Sequence, residues 1–195
     1  LRNLEQRKTE IISKIEEQGK LTELLKRKIE AAKILQEVED LYLPYKQKRK
    51  TRAGIAKEKG CEPLAESILQ GTYQTTLQEE AMRYINETKG VLSVEEALQG
   101  AMDILAERVA ENAEIRKKIR QFVWKHGILV TKLHKKLKEE ETTPYEMYYA
   151  YEEAVQKVPP HRILAMNRGE KEGILSVKIE QDAEPILEAI QRQYP

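Results

Sequence analysis

A mainly α fold is what the sequence predicts: a multi-helical chain with one short β-strand over residues 173–180. Two observations carry this. Lys, Glu, Leu, Ala and Gln are abundant in a chain of which 34 % is charged, and these residues favour helix. Apolar residues recur at three- and four-residue steps with charge between them. Ser, Thr and Asn stand where such segments open, and Gly where they close. The length, 195 residues, is enough to bury a core in one domain or two small ones.

In order, Leu4, Ile11, Ile12 and Ile15 predict an amphipathic helix to about Gln18, stopped by Gly19. Thr22 caps the next, whose apolar face is Leu24, Leu25, Ile29 and Ala32. A third helix carries Leu35, Val38, Leu41 and Tyr42 to Pro44, which disfavours helix at Leu43. Three short helices with tight turns predict a small bundle. Thr51 caps a short helix ending at Gly60, and Pro63 sits in the first turn of another that buries Leu64, Ile68 and Leu69. Thr76–Glu79 and Ser93–Glu96 read as capping boxes. The helix after Ser93 is the most apolar and predicted to be central. Asn112 caps the next, with Ile115, Ile119, Phe122 and Val123 inward and Gly127 at its end.

Residues 128–137 fit either a strand or a continued helix, and Lys135–Glu141 is a charge run expected to face solvent. Tyr145, Tyr148, Tyr149 and Tyr151 form an aromatic segment, read as core and interface. His161–Asn167 predicts a short helix, Arg168–Gly173 a turn, and Gly173–Glu180 a strand without an obvious partner in the chain. Pro185 opens a final helix. The division expected is a small helical unit over 1–43 and a larger one over 44–195.

Near-equal acidic and basic counts leave a net charge of +1, which argues against a module whose whole surface binds nucleic acid. A single cysteine, Cys61, excludes an intrachain disulfide and a cysteine-based zinc site. No apolar run approaches the roughly 20 residues of a membrane span, and no signal-peptide pattern opens the chain. The chain starts inside a helix, so it is expected to be a fragment of a longer protein.

One stretch joins aromatic residues, proline and dense positive charge: Glu39 to Ala56. Its basic turn supplies Lys46, Lys48, Arg49, Lys50 and Arg52, flanked by Tyr42 and Tyr45. Lys and Arg attract phosphates, tyrosine stacks on unpaired bases, and a helix N-terminus after Thr51 suits an anion. The same run also reads as a solvated turn neutralised by Glu37, Glu39 and Asp40. Other candidates are weaker. His161 and Arg162 follow a double proline, but no second histidine stands at a metal or triad spacing. Asp103 and Glu107 lie one helical turn apart, with Arg108 offering a salt bridge. Trp124 reads as a core anchor and Cys61 as a small residue at a helix start. No phosphate-binding glycine loop occurs. No cofactor and no catalytic or metal constellation is predicted.

Several blocks together resemble one family: Gly19-Lys20-Leu21-Thr22, Glu39 through Lys46, Lys48-Arg49, Thr51-Arg52, Glu62-Pro63-Leu64-Ala65, Asp103 through Glu107, and Pro160-His161-Arg162 with Asn167-Arg168-Gly169-Glu170. They look like the N-terminal region of the Tex family of bacterial transcription accessory proteins. The resemblance covers nearly the whole chain. It implies a helical architecture with a helix-turn-helix-like element, a cytoplasmic setting and nucleic-acid binding. It also implies a longer parent carrying an RNase H-like domain, helix-hairpin-helix elements and a C-terminal OB-fold that makes the strongest RNA contact. The expected function is a non-catalytic helical scaffold contributing weak RNA or DNA contact through Tyr45, Lys46, Lys48, Arg49, Lys50 and Arg52. Its partners would be nucleic acid and transcription machinery, not membrane. The alternative is a protein–protein scaffold with no nucleic-acid contact of its own.

Overall fold

The computed structural model describes residues 2–135 and 143–194. Its chain divides into two compact units: one runs to Lys117 and includes Gln193 and Tyr194, the other is Lys118–Arg192.

The first unit holds two cores. Helices α1 (Arg2–Glu17), α2 (Glu23–Ala31) and α3 (Leu35–Tyr42) bury Ile11, Ile15, Ile29, Val38 and Tyr42 against one another. The start of α2 is set by Thr22, whose hydroxyl accepts from the Leu25 N–H. Gly19 at φ 66° makes the turn before it. The buried ammonium of Lys8 donates 2.8 Å bonds to the Glu30 carbonyl and to Glu5. It thus covers a carbonyl that the last turn of α2 leaves without an intrahelical partner. Two expected apolar positions face outward instead: Leu24 and Leu35 are both exposed. In helices this short the buried stripe is narrower than the run of leucines suggests.

The second core lies under α4 (Arg52–Glu58), α5 (Glu62–Gln70), α6 (Leu77–Met82) and α7 (Val94–Glu111). It is built largely from small side chains: Ala53, Ala56, Cys61, Ala65, Ala81, Ala97 and Ala101 surround Leu64 and Ile104. Helix α7 is the centre against which α4, α5 and α6 all pack. Small residues let the helix backbones approach closely. A Cβ at Gly100 would stand 2.8 Å from the Cys61 Sγ and 3.3 Å from the Ala56 Cβ. Thr76 and Glu79 form a complete capping box. At Ser93 the hydroxyl accepts from the Glu96 N–H, while the Glu96 carboxylate reaches the Leu92 N–H rather than that of Ser93.

Helix α8 (Ala113–His126) is capped by Asn112, whose side-chain oxygen accepts from the N–H groups of Glu114 and Ile115. The division between units falls within it. Trp124 is 59 % exposed rather than a core anchor.

In the second unit, β1 (Ile128–Leu133), β2 (Ala150–Ala154) and β3 (Leu175–Glu180) form an antiparallel sheet in the order β2-β1-β3. The ambiguous stretch after Gly127 is therefore a strand through Leu133, and residues 136–137 lie outside the described ones. The expectation that the strand at 173–180 lacks a partner in this chain is corrected: Leu175–Glu180 pairs with Leu133–Ile128. Helix α9 (Pro160–Lys171) runs through most of the predicted turn at 168–173, and Gly173 at φ 75° leads into β3. Against the sheet α9 packs Met166 and Gly169, closing a core with Tyr145, Tyr148, Val158 and Leu175. Thr131 is fully buried and its hydroxyl donates to the Tyr148 carbonyl. The aromatic segment is thus core, as its burial tendency suggested. A final helix, α10 (Glu184–Gln191), follows. The charge run 135–141 lies outside the described residues except for the exposed Lys135. No helix among the described residues is long and apolar enough to cross a membrane.

Candidate functional site

The tyrosines of the signature stretch are packing groups. Tyr42 is buried in the first core, with the Arg7 guanidinium 5.8 Å from its ring centroid. Leu43–Tyr45 continues α3 as a short 3₁₀ turn containing Pro44, so the helix narrows and ends as proline dictates. Tyr45 is half-buried against the first core, and its carbonyl accepts a 3.0 Å bond from the Gln18 side chain.

From Lys46 the chain leaves the bundle without helix or strand and reaches α4 at Arg52. This strap carries the predicted cations, and the structure sorts them. Lys48 lies between two carboxylates of α7: its ammonium is 3.6 Å from Glu107 and in closer contact with Glu111. Its side chain is 28 % exposed and those of the two acids 20 % and 17 %. Arg52 stands 3.8 Å from Asp103, one turn earlier on the same face, with its own side chain 84 % exposed. Lys50 pairs at 3.3 Å with Glu58 in open solvent, an arrangement worth little. Lys46 and Arg49 are exposed and form no ion pair among the described residues.

The charges that neutralise the strap are therefore not those expected. Glu37, Glu39 and Asp40 are engaged elsewhere in the first unit. Glu39 takes the Arg7 guanidinium at 2.6 Å. Glu37 accepts from the Lys33 N–H and the Lys117 ammonium, which together hold its carboxyl below the usual range. Asp40, only 2 % exposed, accepts from the Arg116 guanidinium at 2.8 Å and from Gln36 at 3.3 Å. The salt bridge expected from Arg108 to Asp103 or Glu107 is also displaced, because Arg108 reaches across to Glu66 on α5. Asp103, Glu107 and Glu111, at four-residue steps on α7, hold the strap instead.

The helix after Thr51 offers less to an anion than its position suggests. It has 7 residues, and the Thr51 hydroxyl already takes the Gly54 N–H at 2.9 Å. At the foot of the strap an open cleft of about 230 Å³ is bordered by Arg52, Lys59, Cys61, Glu96 and Asp103. Burial pushes the Cys61 thiol above its ordinary range, the reverse of an activated nucleophile.

Among its described residues the strand-and-helix unit supplies no second candidate. His161 is exposed at the start of α9. Arg162 is held by the Tyr151 hydroxyl at 3.0 Å and Glu153 at 3.2 Å, with its guanidinium over the Tyr151 ring. Burial, and then Glu153, raise the Tyr151 phenol. Among the described residues no group of three His, Cys, Asp or Glu side chains is placed to hold a metal ion.

One feature escaped the sequence reading. Lys26, Arg27 and Lys28 on α2 form no ion pair among the described residues, and Arg27 and Lys28 share the exposed side of the helix with Leu24. The signal was present as three consecutive basic residues, but it lay inside an amphipathic helix where charge is expected. Helices α2 and α3 are joined by three residues, the loop length of a helix-turn-helix. The second helix, however, carries Glu37, Glu39 and Asp40 and no Lys or Arg, a charge unsuited to entering a DNA groove.

Comparison with known proteins adds the following. Residues 73–194 match the family described as Tex central region-like. The chain is 52 % identical over 193 residues to uncharacterized protein YdcI of Bacillus subtilis, covering 99 % of this chain and 27 % of that protein. It is 40 % identical over 190 residues to transcriptional accessory protein Tex of Neisseria gonorrhoeae, covering 96 % of this chain and 25 % of that one. It is 28 % identical over 175 residues to the human S1 RNA-binding domain-containing protein 1, covering 86 % and 17 %. The chain thus spans about a quarter of the length of its bacterial relatives.

Proposed function

The chain belongs to the Tex central region-like family, and on that premise we propose that it is a non-catalytic helical scaffold of a cytoplasmic, Tex-like transcription accessory protein, making a weak, salt-sensitive phosphate contact through the strap. The observation that carries this reading is the pair Lys46 and Arg49: exposed, without an ion pair among the described residues, and on a segment fixed at both ends by Tyr45 and Thr51. A cation held on an ordered segment loses less freedom on meeting a phosphate than one on a loose tail. Lys50 and Arg52 flank the pair and add attraction at short range, while Lys48 is engaged by Glu107 and Glu111. Tyr45 belongs to the contact as the joint that presents Lys46, since its ring is half-buried.

The nucleic-acid part is drawn from relatives whose names speak of transcription and of an RNA-binding domain. The scaffold part is supported by α7, which organises one core and holds the strap. The test is fluorescence anisotropy of labelled single-stranded RNA and of duplex DNA with this chain across salt. Binding should appear at low salt, fade steeply as salt rises, and weaken at least about threefold in Lys46→Ala/Arg49→Ala. No binding at low salt removes this reading and favours a protein–protein scaffold. The exposed apolar residues Leu24, Ile34 and Leu35 on and after α2 would then be the surface to examine.

A further inference from the structure

The strap's cations are not equivalent, and the inequality has a direction. Four carboxylates pair with three of the strap's five cations, Lys48, Lys50 and Arg52: Asp103, Glu107 and Glu111 from α7, and Glu58 from α4. The neighbourhood is left with a single net positive charge. Only Lys48 lies between two acids, and these are the least exposed partners apart from Asp103. Two carboxylates beside one ammonium leave a local negative excess around Lys48, one residue along the chain from Arg49 and two from Lys46, which offsets part of their attraction for a phosphate.

We propose that Glu107 and Glu111 hold Lys48 in reserve, so that the strap masks part of its own phosphate-binding charge and a polyanion must displace the two carboxylates to recruit it. The inference rests on the strap being a phosphate contact. It states how that contact is regulated: binding is weak because α7 competes for one of its cations. The competition is electrostatic and local. A lysine is a compact charge on a flexible stem, so Lys48 can turn from the carboxylates to a phosphodiester oxygen without moving the strap, which Tyr45 and Thr51 anchor. Arg52 needs no such release, because its side chain is already exposed and its contact with Asp103 is long.

The test is a cycle on this chain, read by anisotropy with one short, unstructured single-stranded RNA. Glu107→Gln/Glu111→Gln keeps the side-chain shape and removes the competing charge. It should bind about fivefold tighter, with a salt slope steeper by about 0.7, the value for one added lysine–phosphate contact on a single strand. Lys48→Ala should change affinity little in the unaltered chain and abolish the gain in the Gln background. Glu87→Gln/Glu114→Gln removes the same charge at two exposed acids without ion pairs among the described residues, and should gain far less. Thermal melting checks that each variant is folded. No gain in the Gln variant, or a gain that survives Lys48→Ala or is matched by Glu87→Gln/Glu114→Gln, overturns the masking. Its failure is separable from that of the underlying reading. If Lys46→Ala/Arg49→Ala weakens binding while the Gln variant gains nothing, only the masking falls. If Lys46→Ala/Arg49→Ala has no effect, the strap itself is not the contact.

Discussion

Two stretches of this chain pair aromatic residues with charge, and they end in opposite states. The tyrosines of residues 145–151 are drawn to a core. Tyr145 and Tyr148 are buried beside Met166 and Leu175, and the Tyr148 carbonyl is satisfied by Thr131. Residues 45–52 stay outside, anchored at Tyr45 and Thr51 and held between by side-chain tips on α7. Composition separates them only in part: the first holds four tyrosines and one glutamate, the second one tyrosine and five cations. What also differs is the company: the first has a sheet and a helix to close over it, while the second crosses from one helical core to another with only carboxylates alongside. Apolar burial confers stability, whereas exposed ion pairs contribute little and can be exchanged for a ligand. The strap is where a binding function costs the fold least.

The sharpest way to break this contrast is to cut into the aromatic core. Leu175→Ala should lower unfolding free energy by about 3 kcal/mol, the usual cost of emptying a buried leucine site, measured by urea denaturation. A cost near zero would mean that residues 145–151 are not held by packing. Next in size is Gly100→Ala in the first unit. The added methyl meets Cys61 and Ala56, so overpacking should outweigh the gain in helix propensity and leave a loss of about 1–2 kcal/mol. On the strap the effect should be smaller: Lys48→Met should cost under about 1 kcal/mol, and Lys46→Ala/Arg49→Ala less than about 0.5 kcal/mol. A large loss from the latter pair would make those cations structural and remove the distinction.

The smallest effect concerns pH. Glu37, beside the Lys33 N–H and Lys117, and Glu66, beside Arg108, have carboxyl pKa values lowered in the folded state. Their contribution is fully present above the unfolded carboxylate value of about 4.3 and is lost as pH falls through the lower folded values. Melting temperature should therefore be flat from neutral pH to about 5 and decline below about 4. The decline should be shallower in Glu66→Gln.

Helices and their caps were legible in the sequence because capping is local. Thr22, Thr51, Thr76, Ser93 and Asn112 each bond within three residues of themselves. The sheet was not. Strand β1 is six residues of mixed apolar and polar character that fit a helix as well, and β2 hides within an acidic and aromatic segment. Pairing between residues some 45 positions apart leaves no mark on either strand. The candidate site was legible as a basic run but not in its energetics. That Glu107 and Glu111 neutralise Lys48, while Arg108 between them turns away to Glu66, depends on how α5, α7 and the strap pack. Leu24, Leu35 and Trp124 were misplaced for a related reason: periodicity marks an apolar residue, not whether a neighbour arrives to cover it.

The strap, and not the basic run Lys26–Lys28 of α2, is proposed as the phosphate contact. Lysine acylation footprinting by mass spectrometry, with and without single-stranded RNA at low salt, reads this directly. RNA should slow modification of Lys46 while Lys26 and Lys28 react at unchanged rates. Protection of Lys26 and Lys28 with Lys46 unaffected would contradict it.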